Sequence, residues 1–174
     1  SNPDKPHFRP NTFSINAPLI EEFSLNGCSR IKGGLNLKNC IRLKTMDTRN
    51  TGIVDVTFPE TSSLTSVYLS ENMTTLITSN LPKLTILSLD GVTKITESTL
   101  SGIPLINTYN LVSQFSSGGA KIDKLTITDF HWTKATPTIT DYLYNIKTCN
   151  LFGQIDFTTT KDLTYDRKLK YQAK

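Results

Sequence analysis

Few residues in this chain have the types and spacing that catalysis requires. The two histidines, His7 and His131, lie far apart in the sequence, and His7 falls in a Pro-rich N-terminal stretch. The sequence contains no serine nucleophile elbow, no phosphate-binding glycine loop and no His-Glu-x-x-His zinc motif. The adjacent carboxylates Glu21 and Glu22 would point to opposite faces of a strand, so they cannot form a facing acid–base pair. We therefore expect no catalytic residues and no enzymatic activity.

Residues able to ligate a metal ion are equally dispersed. The three cysteines, Cys28, Cys40 and Cys149, lack the short paired spacing of zinc sites. Calcium requires several converging oxygen ligands, whereas the aspartates here stand singly among threonines. We therefore predict neither a metal site nor a cofactor. The odd number of thiols argues against a disulfide framework and favours buried free cysteines that act as small hydrophobic residues.

Composition narrows the remaining functions. The 174 residues carry a net charge of +4, and 37% are hydrophobic, which is ordinary for a globular domain. The 26 threonines and 15 serines favour strands with a polar outer face. No apolar run approaches the roughly 18 residues of a membrane span, and basic residues do not alternate with aromatic ones as on nucleic-acid-binding surfaces. We expect neither membrane insertion nor nucleic-acid binding.

The element that would position a binding site is a repeat. The pattern apolar-x-x-apolar-x-apolar occurs seven times, with one threonine and one cysteine in apolar slots, and five of the six separations are 20 to 24 residues. A proline stands two residues before three copies, at Pro18, Pro82 and Pro104, where no strand hydrogen bond is yet needed. These two markers in one phase predict a strand at each copy. The copies begin at Ile20, Leu43, Leu64, Leu84, Ile106, Ile122 and Ile146.

A second set of apolar alternations lies between the early copies and predicts a second strand in each coil. It comprises Leu35 and Leu37, then Val54, Val56 and Phe58, then Leu76 and Ile77. Leucine-rich repeats have a similar period of 20–29 residues, and they place Asn or Cys three residues after the pattern to satisfy backbone groups at a turn. The corresponding residues here are Cys28, Thr51, Asn72, Val92, Gln114, Phe130 and Gln154. This ladder is broken, which indicates an irregular solenoid.

Helices are expected in the C-terminal third. Ile139, Leu143 and Ile146 have helical spacing after a candidate N-cap, Thr138, which predicts a helix over 138–147. The predicted fold is therefore mainly β with some α, an irregular leucine-rich-repeat-like parallel solenoid of about 6–7 coils.

Three segments divide the chain in this interpretation. Residues 1–16 form an extended N-terminal capping segment, and residues 17–159 form the solenoid. Residues 160–174 form a C-terminal helix, running from Asp162 to Lys174 with cations towards its end, which we expect to be truncated or to continue in a longer parent protein.

Two stretches carry a resemblance to known families. Residues 81–89, with the sequence LPKLTILSL before Gly91, resemble a leucine-rich repeat of bacterial surface proteins. The run over 17–174 resembles repeat domains of tail or minor structural proteins of gut bacteriophages, most closely over 125–132, with the sequence LTITDFHW. The resemblance implies a virion structural or host-contacting protein, and it brings no catalytic residues.

The outward positions of the repeat strands form columns, which are the candidate binding surface. Tyr68 and Ile86 are apolar groups at positions where polar ones would serve, and Tyr68 with Arg49 and Asp90 has the aromatic-plus-charge composition of an interface anchor. Plain solvated strand surface is the alternative interpretation. The predicted binding residues are Asp47, Arg49, Tyr68, Ile86, Ser88, Asp90 and Asn110.

The leading hypothesis is a non-enzymatic structural or binding module of a phage tail or fibre-like virion protein. Its partner would be a protein or glycan on a host surface, or a neighbouring virion subunit. Open solenoid ends also allow a homo-oligomer. An extracellular leucine-rich-repeat adhesin on a bacterial cell surface is the first alternative. A β-solenoid carbohydrate-active enzyme is the second, although its clustered acidic columns are represented here only by Asp47 and Asp90.

Overall fold

The computed structural model describes residues 12–59, 62–116, 118–133, 145–156 and 169–173. These residues are mainly β, with one short helix, and form a parallel β-solenoid of about five turns. The strands are β1 (Phe13–Ser14), β2 (Glu22–Ser24), β3 (Lys32–Asn36), β4 (Thr45–Asp47), β5 (Gly52–Thr57), β6 (Ser66–Tyr68), β7 (Leu76–Thr78), β8 (Ile86–Ser88), β9 (Ile95–Leu100), β10 (Ile122–Thr133), β11 (Ile146–Asp156) and β12 (Leu169–Ala173). The helix is α1 (Thr108–Val112), and a 3-10 turn at Ser113–Phe115 follows it.

The first four repeat copies form one parallel sheet in the order β2-β4-β6-β8, which we call the front sheet. Its central apolar positions are paired from strand to strand as Phe23, Met46, Val67 and Leu87. The last three of these side chains are buried, because alternate residues of a strand face the core. Four of the predicted strands, and their relative register, are therefore confirmed.

The second strand of each coil lies on the opposite side of the solenoid. There β1-β3-β5 form one parallel sheet, and β7-β9-β10-β11-β12 form another. The three apolar alternations fall in or next to β3, β5 and β7, so the predicted second strand is confirmed in these coils. Within β5 the buried residues are Ile53 and Val56, whereas Val54 is only half-buried.

The fifth repeat copy was predicted as a strand, and this prediction is wrong. Its residues form α1 instead, and the Asn107 side chain caps the helix by accepting a hydrogen bond from Asn110 N at 3.0 Å. Leu111 and Phe115 are four residues apart and both buried, which is the spacing of a helical face. Because α1 replaces a strand, the front sheet ends at β8.

The sixth and seventh copies are strands, but they belong to the opposite side of the solenoid. β10 pairs in parallel with β9 and with β11, joining Ile122 to Ile95 and to Ile146. This change of side is why the solenoid has about five turns rather than 6–7.

The helices expected in the C-terminal third are not found in the described residues. Ile146 and Lys147 begin β11, so the end of the predicted 138–147 helix is a strand, and 138–144 lie outside the described ranges. Residues 169–173 form β12 beside β11, where a terminal helix was predicted. Strand pairing outweighs the local helical pattern here, as tertiary context commonly does. The rest of that predicted helix lies outside the described residues.

Threonine side chains link successive coils. Thr65 Oγ1 donates to Lys44 O at 3.1 Å, and Thr85 Oγ1 donates to Thr65 O at 3.1 Å. At the other end of the front strands, Thr48 Oγ1 donates to Tyr68 O at 3.2 Å. The abundance of threonine thus serves hydrogen bonding between coils as well as strand propensity.

Polar side chains at the turn that follows each front-sheet strand satisfy backbone groups, as predicted for this position. The buried Thr51 Oγ1 donates to Thr48 O at 2.7 Å and accepts from Ile53 N at 3.1 Å. Asn72 Nδ2 donates to Thr51 O at 2.7 Å. A broken asparagine ladder therefore still performs the ladder's role where threonine or asparagine remains.

The three cysteines are free thiols, and two of them are buried as predicted. Cys40 Sγ donates to Ile15 O at 3.4 Å, and burial raises the pKa of Cys149 to about 12. Cys28 is exposed, so the prediction of burial is wrong for this residue.

Candidate recognition face

The front sheet brings predicted site residues from three strands together. Parallel pairing sets Asp47 beside Tyr68, and Tyr68 beside Ser88. Ile86 lies beside Ser66, two residues earlier on the same strands. Neighbouring strands lie about 4.8 Å apart, so these side chains are within contact range on one outer surface.

Arg49 is fixed by Asp47 in a two-pronged ion pair. Arg49 Nε donates to Asp47 Oδ1 at 2.9 Å, and Nη2 donates to Oδ2 at 2.7 Å. The backbone N–H of Arg49 also donates to Asp47 Oδ1 at 3.0 Å, which closes a tight turn. These hydrogen bonds from Arg49 lower the pKa of Asp47, although its burial acts in the other direction. Asp47 is therefore ionised and oriented before any partner arrives.

The guanidinium of Arg49 also lies over the aromatic ring of Tyr68. The distance from Cζ to the ring centroid is 4.6 Å, which is cation–π geometry. The Arg49 side chain is 42% exposed and that of Asp47 only 13%. The stack is thus anchored at the carboxylate and open to solvent at the arginine.

Asparagines extend the cluster across two turns. Asn26 Nδ2 donates to Asp47 Oδ2 at 3.2 Å, and Asn50 Nδ2 donates to Asn26 Oδ1 at 2.9 Å. Asn50 N donates to Glu71 Oε2 at 3.1 Å. The sequence did not mark Asn50 or Glu71 as site residues. The sequence signal was that Asn50 occupies the turn position where other coils have Gly27 or Gly91. The structure gives Asn50 a positive φ of 56°, a conformation that asparagine tolerates best after glycine.

Asp90 and Asn110 do not lie in the sheet columns that were predicted for them. Asp90 is exposed on the turn after β8. The hydrogen bonds that Arg49 donates to Asp47 are the main cause of its raised pKa, and the charge of Asp90 adds to this effect. Asn110 lies on α1 rather than in the sheet, so its predicted position as a strand residue is wrong. It still lines a cavity that borders the front sheet, together with Ile86 and Ser88 of β8.

A cavity of about 180 Å³ separates β8 from α1. Ile86 and Ser88 line it from the strand, and Asn107 and Asn110 line it from the helix side. Ile86 is 44% exposed at its mouth. Asp47, Arg49 and Tyr68 form one half of the surface, and Ile86, Ser88 and Asn110 form the other.

Gln114 terminates the front sheet at this cavity. Its Nε2 donates to Leu87 O at 2.8 Å, and its Oε1 accepts from Leu89 N at 2.6 Å. The side-chain amide therefore occupies the place of the next strand and covers part of an otherwise open sheet edge. Gln114 stands at the turn position that the repeat pattern reserves for polar side chains, which was the signal for its role.

Across the ranges that the structure describes, no group of three or more His, Cys, Asp or Glu side chains could hold a metal ion. The helices in those ranges include none long and apolar enough to cross a membrane.

Comparison with known proteins gives no relative for this fold. The chain matches no protein-family model, no curated protein and no solved structure at a significant level. The resemblance to leucine-rich repeats and to phage structural proteins therefore stays a prediction from the sequence.

Proposed function

We propose that this chain is a non-enzymatic binding module whose recognition face is the outer surface of the front sheet. We define the recognition face by Asp47, Arg49, Tyr68, Ile86, Ser88 and Asn110. The observation that carries the proposal is the fixed stack of Arg49 between the Asp47 carboxylate and the Tyr68 ring. Arginine and tyrosine dominate binding hot spots, and a side chain ordered in advance loses less entropy on binding.

Beyond the turn that Asp47 closes, the stack contributes little to folding. The same outward column carries serine in β2 and β8, at Ser24 and Ser88, and those strands pair in the same register. The Arg49 end of the ion pair is open to solvent, and surface ion pairs contribute about 0–1 kcal/mol to stability. The other two positions of this four-residue column hold Asp47 and Tyr68. Because serine serves equally well in the column, the presence of the stack favours a role in recognition over a role in supporting the fold.

The biological setting is proposed from the sequence resemblance. A phage virion protein would use this face to contact a host-surface protein or glycan, or a neighbouring virion subunit. A bacterial cell-surface adhesin would use the same face outside the cell. The carbohydrate-active enzyme is disfavoured, because a general acid needs a raised pKa whereas Asp47 has a lowered one and is held by Arg49.

The test combines light scattering after size-exclusion chromatography with binding to whole bacterial cells. A monomer that binds cells supports a receptor-facing module, and protease or periodate treatment of the cells separates protein from glycan receptors. A stable oligomer that ignores cells would instead favour an architectural virion part.

A matched pair of variants makes this test specific to the face. Arg49→Ala removes a cation from the recognition face, whereas Lys124→Ala removes one from the opposite side, where Lys124 pairs with Glu97 at 3.4 Å. Binding that is lost only with Arg49→Ala supports the proposal. Equal loss in both variants would show non-specific charge attraction and contradict it.

A further inference from the structure

The hydrogen-bond register of the front sheet determines which backbone groups of β8 face α1. Ile86 N donates to Thr65 O at 3.1 Å, and Leu69 N donates to Ser88 O at 3.2 Å, so residues 86 and 88 direct their backbone groups towards β6. In a parallel ladder the intervening groups point the other way. The carbonyls of Thr85 and Leu87 and the N–H groups of Leu87 and Leu89 therefore face α1.

Gln114 satisfies only half of this edge. Its amide binds the Leu87 carbonyl and the Leu89 N–H. The equivalent pair two residues earlier, the Thr85 carbonyl and the Leu87 N–H, faces the 180 Å³ cavity, which both residues line. Outside the strand pairing itself, no backbone group in the described ranges bonds to this pair. We call this cavity with its donor–acceptor pair the edge niche.

We propose that the edge niche binds the primary carboxamide of a glutamine side chain from a protein partner. The carboxamide would accept from Leu87 N and donate to Thr85 O, as Gln114 does with the next pair of the same edge. This inference rests on the proposed function, because Ile86, Ser88 and Asn110 of the recognition face line the niche.

The shape of the niche selects a side chain over an extended strand. The Gln114 side chain occupies the next step of the β8 edge, so a continuous strand cannot lie along it. A side chain can enter end-on from solvent. A carboxylate would accept from Leu87 N but would set its second oxygen against the Thr85 carbonyl, whereas a primary amide has both donors and an acceptor. The exposed Ile86 at the mouth favours glutamine over asparagine, because the longer side chain has methylenes to cover it.

The probe is N-acetylglutamine methylamide, and its binding is monitored by two-dimensional amide NMR of the protein. We expect a saturable downfield shift of the Leu87 amide proton. N-acetylglutamate methylamide has the same backbone and nearly the same shape, and we expect it to produce no such shift. Ser88→Leu places a large side chain on the niche wall and should abolish the effect. Ser24→Leu makes the same change in the same column at β2 and should retain it.

Each contrary result has its own meaning. Equal shifts from both probes would show binding through their backbones, and a shift that survives Ser88→Leu would place the probe elsewhere. Either result, or no shift at all, overturns the niche. If the shift is absent while cell binding still requires Arg49, only the niche fails. If the shift behaves as expected but cell binding ignores Arg49, the proposed function fails and the niche stands.

Discussion

Replacing Gln114 with alanine removes two hydrogen bonds at once from the edge of β8. The Leu87 carbonyl loses its donor at 2.8 Å, and the Leu89 N–H loses its acceptor at 2.6 Å. Removing one partner of a buried bond costs about 1–3 kcal/mol. Gln114 is half-buried and water can enter the truncated site, so we take the lower limit for each bond and expect a loss of about 2 kcal/mol in unfolding free energy. For a domain of this size that corresponds to a fall of about 4–8 °C in Tm.

Urea denaturation measures this loss, and the expected result is a lower midpoint with an unchanged slope. Gln114→Glu keeps the shape of the side chain but cannot donate to the Leu87 carbonyl, so it should also be destabilised at neutral pH. Exchange of the Leu89 amide hydrogen should accelerate in the alanine variant. If both variants have the same urea midpoint as the wild type, Gln114 is only a solvated side chain. The interpretation that it satisfies the edge of β8 then fails.

Three further perturbations follow from individual contacts. Thr51→Val keeps the shape of a buried residue but leaves two backbone groups without the hydroxyl that satisfies them. The unfolding free energy, measured by urea denaturation, should fall by about 2–4 kcal/mol. A fall under about 0.5 kcal/mol would contradict the turn's hydrogen bonding. Because the pKa of Asp47 is lowered in the folded state, its contribution is present above the ordinary aspartate pKa of about 3.9 and is lost as the pH falls through the lower folded value. Acid titrations of stability should thus be shallower for Asp47→Asn, and identical slopes would refute the ion pair's contribution. A thiol reagent should modify Cys28 rapidly in the native protein and reach Cys40 and Cys149 only after unfolding; fast labelling of all three would show that the core is open.

The front sheet could be predicted because it depends on local pattern and nearly constant coil length. An apolar residue at each inward position sets which face is buried, and coils of similar length keep Asp47 and Tyr68 in one column. The strand prediction for the fifth copy was wrong because its apolar spacing also fits one face of a helix. The deciding feature was the cap at Asn107, and a single asparagine is too weak a signal to outweigh a repeat.

Contacts between coils were beyond the reach of the pattern. The bond from Asn50 to Asn26 and the insertion of Gln114 beside Leu87 depend on the position of side chains more than 20 residues apart in sequence. Tyr68 and Arg49 could be placed side by side from the repeat alone. Their actual stacking depends on the turn that Asp47 closes, which only the three-dimensional structure displays.

The most direct test of the recognition face is to measure binding and stability together in Tyr68→Ser. Serine occupies the same column at Ser24 and Ser88, so the strand should form as before. Removing an exposed cation–π contact costs about 0.5–1 kcal/mol, which predicts a small change in Tm and a loss of cell binding. A large fall in Tm with cell binding retained would show that Tyr68 supports the fold, and it would contradict a recognition role for this face.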